Sequence, residues 1–176
     1  GGASAIIALN TRSYETVLDL GGWEAKTCIL PNFVDCRSMP ERQVPGDGRP
    51  PLVVAYVGAL SRPKGLYTIL DIAQRIEGVT FQLVGAPERD AGRELRRDIQ
   101  ERGLEDRVRL MGSLPNAEVH ALLVNSDAYL FPSLTEGFPI SVAEAMAAGL
   151  PVVASPAGAI PDMIDAPRGG FIISWD

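Results

Sequence analysis

From Leu52 onward the chain keeps returning to one pattern: a short strand-like run, then a stretch with apolar residues at helical spacing. The runs fall at 52–57, 80–84, 107–110, 128–131 and 152–154, with a shorter one near 171–173; 52–57 is continuously apolar, whereas 107–110 alternates Arg with apolar residues. A run without polar alternation is what a parallel strand needs when both its faces are covered. The intervening stretches predict helices over 65–76, 89–102 and 117–124. In the first of these, Leu66, Ile69, Leu70 and Ala73 share one face. Strands alternating with helices predict right-handed βαβ crossovers, and so an α/β fold, a three-layer αβα sandwich around a mostly parallel sheet.

Ahead of Leu52 the pattern is looser. Residues 4–9 predict a short strand, and Asn10 or Thr11 can cap a helix to about residue 20, stopped by Gly21-Gly22. Residues 27–30 predict another strand. The segment 39–51 is rich in Pro, Gly and charge, which predicts an exposed loop and a hinge before the main domain. Glycines follow three of the main strands, at Gly58, Gly85 and Gly112. In open α/β sheets ligands bind at the carboxyl ends of strands, where glycine admits close approach. Gly85 reads as an ordinary tight turn. No G-x-G-x-x-G and no G-x-x-x-x-G-K-[ST] occurs, so dinucleotide and P-loop readings lose their main support.

Two segments can carry chemistry. Thr135 to Gly149 reads as a loop and then a helix, with Pro139 near the first turn and Gly149 past the end. Glu136 lies in the loop, and Glu144 lies roughly 7 Å along the helix beyond Pro139. Between them Gly137, Phe138, Pro139 and Ile140 lead into a helix N-terminus, where unpaired amides and the helix dipole favour an anion. The second segment, Gly58 to Gly65, puts Arg62 and Lys64 where a helix opens, an arrangement suited to a diphosphate.

Charge narrows the partners. A net charge of −6 argues against a nucleic-acid-binding protein, which normally carries a basic patch. Cys28 and Cys36 lack metal-ligand spacing, and the single His120 adds none, so both read as free thiols of a reducing compartment, with no metal site. No apolar run approaches the ~18 residues of a membrane span, which leaves peripheral association at most. The opening Gly1-Gly2 without Met reads as a piece of a longer protein.

The sequence EGFPISVAEAMAAGLPVVAS, with seven residues between Glu136 and Glu144, resembles the donor-site motif of retaining GT-B glycosyltransferases of the glycosyltransferase 4 (group 1) type. YVGALSRPKG resembles the family's YVGRLSPEKG, with Lys64 on the family Lys and Ala59 where the family has Arg. LPNFVD resembles IPNGVD, with Phe33 in the glycine place. The segments 81–85, 110–114 and 155–163 resemble further family stretches in order.

The resemblance implies a Rossmann-like half of a GT-B enzyme. Residues 1–35 are then the end of an amino-terminal domain or the crossing, 36–51 a loop, and 52–176 a truncated nucleotide-sugar-binding domain. It also implies transfer of a sugar from a UDP- or GDP-linked donor to a glycan, lipid or small molecule, in the cytoplasm and without metal or other cofactor. Lys64 and Glu136 become the catalytic pair. Gly58, Arg62, Leu114, Gly137, Phe138, Pro139, Ile140 and Glu144 become donor-binding positions, Leu114 through backbone at the base and Glu144 through the ribose hydroxyls. Arg62 is expected to supply the cation absent at Ala59. The acceptor would be held by an amino-terminal domain outside this chain, so the chain alone is expected to be inactive. The alternative is a non-catalytic nucleotide-sugar-binding or regulatory module.

Overall fold

The computed structural model describes residues 4–21, 24–41, 52–87 and 91–174. The predicted start of a helix at Arg89 and most of the predicted loop 39–51 lie outside them.

The apolar runs become six parallel strands of one sheet: β3 (Leu52–Val57), β4 (Val79–Val84), β5 (Val108–Gly112), β6 (Ala128–Phe131), β7 (Val152–Ala154) and β8 (Gly170–Ile172), in the order β5-β4-β3-β6-β7-β8. Helices α2 (Leu66–Arg75), α3 (Ala91–Glu101), α4 (Asn116–Val124), α5 (Ile140–Ala147) and the short α6 (Ile160–Met163) make the crossovers. From β3 the chain winds outward through β4 to β5, and from β6 it winds the opposite way to β8. Right-handed crossovers therefore put α2 and α3 on one face and α4 to α6 on the other. The winding reverses between β3 and β6, which pair through Val54–Ala128 and Ala55–Tyr129. That reversal opens a crevice at the carboxyl edge.

The interior follows from the patterning. Leu66, Ile69, Leu70 and Ala73 are the buried face of α2, as their spacing predicts. Tyr56, Phe81, Leu83, Leu123, Tyr129 and Val142 are fully buried at or between the layers. Phe131 stacks on Tyr56 and on Tyr129, with ring centroids 5.8 and 6.0 Å apart, which ties β3 to β6 at the edge where the crevice opens.

The first segment stands apart as a parallel pair, β1 (Ile6–Ala8) and β2 (Thr27–Ile29), joined by α1 (Thr11–Asp19). Asn10 caps α1 by accepting from the Ser13 N–H at 2.8 Å, while its own Nδ2 donates to the Gly137 carbonyl at 3.1 Å. The Thr11 N–H donates to Asp162 at 2.7 Å. These bonds dock the first segment on the loop after β6 and on α6. Cys28 and Cys36 are free and exposed. Among the described residues no helix is long and apolar enough to cross a membrane, and no three His, Cys, Asp or Glu side chains gather as metal ligands.

Candidate functional site

The loop after β3 is pinned by two buried tyrosines. The Tyr56 hydroxyl donates to the Ala59 carbonyl at 2.8 Å, and the Tyr129 hydroxyl donates to the Val57 carbonyl at 3.1 Å. Burial pushes both phenols well above their ordinary pKa, for Tyr56 with help from the nearby Glu136 charge, so both remain proton donors. The loop then turns through a 3-10 segment, Arg62–Lys64, ended by Gly65 at φ 77°. A Cβ on Gly65 would lie 2.0 Å from the Pro132 carbonyl oxygen. Only glycine lets the two loops touch, and the Leu134 N–H donating to the Pro63 carbonyl at 2.8 Å joins them further.

Gly85 corrects an expectation. It is not a simple tight turn: a Cβ there would lie 1.8 Å from the Gly58 carbonyl oxygen. Gly85 lets the loops after β3 and β4 lie against each other, with Gly58 N–H donating to the Val84 carbonyl at 3.0 Å.

Contact between the loops after β3 and β6 brings Lys64 to Glu136. Lys64 Nζ donates to Glu136 Oε1 at 2.7 Å and to the Thr135 carbonyl at 3.0 Å. The side chains are 29% and 11% exposed, so the pair is largely withdrawn from water. An ammonium has three N–H donors. Two are used among the described residues, which leaves one for a ligand. Arg62 shares the turn but not the pair: its guanidinium lies 4.1 Å over the Tyr67 ring and 3.7 Å from Glu94. Ala59 is exposed beside it.

Past Glu136, the Gly137 carbonyl accepts from Asn10 and from the Ala159 N–H at 2.9 Å. The Gly137 and Phe138 N–H groups donate to nothing among the described residues, and they stand ahead of the first turn of α5. Pro139 is buried and Ile140 exposed at the helix start. The Phe138 side chain lines an apolar cleft of ≈ 620 Å³ with Leu9, Ile29, Met146 and Met163, so its offering to an anion is its amide. A polar cleft of ≈ 540 Å³ runs from Glu136 and Thr135 to Asn10, Arg12, Ser13 and Thr16 of the first segment.

Glu144 lies one turn of α5 beyond Ile140, at a separate cleft of ≈ 330 Å³ lined also by Phe33, Asp35, Asn116 and His120. His120 Nε2 is 3.3 Å from Glu144 Oε1. Phe33 stands at the lip, 88% exposed. Arg37 grips Asp35 with two guanidinium bonds of 2.9 and 2.6 Å and holds its carboxyl below the ordinary pKa. Leu114 is half-buried two residues before Asn116. The predicted residues thus form two groups, Lys64–Glu136–Gly137–Phe138 and the neighbouring Ile140–Glu144, with Arg62 held to one side and Leu114 packed against the core. Sequence reasoning missed His120, Tyr56, Tyr129 and Asn10 as site residues. Asn10 carried a capping signal, whereas the partners of the other three come from distant parts of the chain.

A doubly wound parallel sheet flanked by helices, with its polar groups gathered at the carboxyl ends of the strands, is the half-domain architecture found in GT-B glycosyltransferases. Residues 51–176 match the family described as glycosyl transferases group 1, and the chain belongs to that family. It is 34% identical over 130 residues to the amylovoran biosynthesis glycosyltransferase AmsK of Erwinia amylovora, covering 69% of this chain and 32% of AmsK. It is 33% identical over 184 residues to the 2-deoxystreptamine glucosyltransferase of Streptomyces kanamyceticus, covering 92% of this chain and 45% of that enzyme. Anabaena HepE in complex with UDP and glucose superposes with a TM-score of 0.83 at 30% identity, over 98% of this chain and 50% of HepE. The chain therefore spans about a third to a half of the length of these relatives.

Proposed function

We propose that this chain is the donor-binding half of a retaining glycosyltransferase of the glycosyltransferase 4 type. It would move a sugar from a nucleoside diphosphate sugar to a glycan, lipid or small-molecule acceptor held by the rest of the protein. The observation that carries the reading is Lys64, with one spare N–H donor, facing Glu136 beside the free Gly137 and Phe138 amides in the switch-point crevice. HepE was solved with UDP, which favours a UDP-linked donor over a GDP-linked one.

In such a transfer the bond from the sugar C1 to the diphosphate oxygen breaks and a bond from C1 to the acceptor oxygen forms. The acceptor proton leaves with the departing diphosphate. Negative charge grows on that diphosphate while the sugar becomes oxocarbenium-like. Lys64 and the two amides are fixed donors aimed at the growing charge, and a single such donor is commonly worth ~10²–10³ in turnover. Glu136 then accepts hydroxyls of the sugar through the oxygen that Lys64 leaves free. Glu144, with Ile140 on the same cleft, takes the nucleoside end and accepts from ribose. A hydrolase using both carboxylates on one glycosidic bond is disfavoured, because each belongs to a different cleft. No metal or other cofactor takes part in this scheme. Exposed free Cys28 and Cys36 support a reducing, cytoplasmic setting.

Ala59 favours a second reading, a nucleotide-sugar-binding module without catalysis, because it puts an exposed methyl group where the resemblance expects a cation. Titrating the full-length protein with UDP- and GDP-sugars, and following the anomeric proton of the product by NMR, separates the two. Transfer with the donor's anomeric configuration kept is the expected result. Binding without transfer points to the module, inverted product removes the retaining assignment, and no binding overturns the donor-site reading.

A further inference from the structure

Helices α4 and α5 face each other across the cleft at Glu144 through two matched pairs of residues. On α4, Asn116 and His120 lie four residues apart and share a face; on α5, Ile140 and Glu144 do the same. His120 and Glu144 close the cleft between the helices, with side chains only 10% and 16% exposed. A buried carboxylate is stable only with hydrogen-bond partners, and His120 is the only such partner of Glu144 among the described residues. An ionised carboxylate can only accept, so a hydrogen bond between the two requires a proton on Nε2 of the ring. Oε2 is left without a partner among the described residues.

We propose that His120 is a positioning residue for donor binding. Its Nε2–H fixes the rotation of the Glu144 carboxylate, so that the unpartnered oxygen accepts hydroxyls of a vicinal diol entering the cleft. This inference rests on the reading of Glu144 as the ribose ligand. In its absence the carboxylate would rotate freely, or hydrate, and would lose its preference for a ribose over a deoxyribose. The role is one of orientation: His120 acts on the ligand through the carboxylate of Glu144, and its loss should appear in donor affinity and KM rather than in kcat.

The test measures binding of UDP and 2′-deoxy-UDP, with GDP and 2′-deoxy-GDP alongside, to the full-length protein. Wild type should favour the ribonucleotide by about 10- to 100-fold, the range for a hydrogen bond to a charged group. His120→Leu should cut that preference at least fivefold, chiefly by weakening the ribonucleotide. His120→Gln, which can still donate, should restore most of it. If His120→Leu does not fold, His120→Phe keeps the ring without the donor and makes the same comparison. A wild-type preference in the Leu or Phe variant, or equal weakening of both nucleotides, overturns the proposal. Glu144→Ala identifies which claim failed. Preference abolished there but intact without His120 sinks the positioning role alone, and preference intact in Glu144→Ala, or no binding by wild type, sinks the ribose reading with it.

Discussion

Lys64 Nζ lies 2.7 Å from Glu136 Oε1 although 72 residues separate them in the chain. Their strands β3 and β6 are neighbours at the point where the winding of the sheet reverses, so the loops that follow them emerge side by side. Gly65 closes the remaining gap by letting the turn that carries Lys64 rest on the Pro132 carbonyl. The same crevice gathers the Gly137 and Phe138 amides.

We expect Lys64→Ala to lower turnover of the full-length enzyme by about ten- to a thousandfold, equivalent to ~1.4–4 kcal/mol of transition-state stabilisation. Glu136→Ala should lower it as well, and the two losses should not add. Groups in direct contact couple by ~0.5–3 kcal/mol, so the double variant should fall short of the product of the singles. Steady-state kinetics on the four proteins decides it, and strict additivity would show that the pair does not work as a unit.

Gly65→Ala and Gly85→Ala should each destabilise the fold by at least ~2 kcal/mol, since an unfavourable backbone region adds to a direct clash with a carbonyl oxygen. Gly112→Ala is the control. Its φ of 71° is similarly strained, but a Cβ there meets nothing within 4 Å, so its loss should be the smaller one. Urea midpoints of the three variants rank the effects.

Arg62→Ala should cost turnover less than Lys64→Ala. The guanidinium rests on Tyr67 and Glu94 rather than in the pair with Glu136. Exposed contacts of these kinds are worth ~0.2–1 kcal/mol each, so Arg62 can leave them for a bound diphosphate at small cost. A loss of a few-fold to tenfold in kcat/KM, reversed in part by Arg62→Lys, is the expected outcome. No change at all would leave the cation missing at Ala59 without a substitute from this turn.

Alkaline pH should unfold the domain through its tyrosines. Burial raises the folded-state pKa of Tyr56 and Tyr129 above the ordinary value of about 10. Above that value the unfolded chain binds fewer protons than the folded one, so stability is complete below pH ~10 and falls as pH rises beyond it. The slope should reach about 1.4 kcal/mol per pH unit for each strongly shifted phenol. Tyr129→Phe should be less stable at pH 8, through loss of the bond to Val57, yet show a shallower decline above pH 10 in denaturant titrations.

Much of this was legible in the residues themselves. Apolar runs without alternation required strands covered on both faces, and the stripe of Leu66, Ile69, Leu70 and Ala73 required a helix lying on them. Pro139 and Gly149 bracketed α5, and Asn10 announced the start of α1. These are local properties, set by pleat, helical period and capping geometry over a few residues. Tertiary structure decided which strands became neighbours, and with that every cross-chain relationship of the site. It joined Lys64 to Glu136, turned Arg62 toward Tyr67, set His120 against Glu144, and made Gly85 a point of contact with Gly58 rather than a plain turn. Such pairings depend on strand order and loop contact between segments tens of residues apart, and a side chain's partner across a crevice leaves no periodic mark in the sequence on either side.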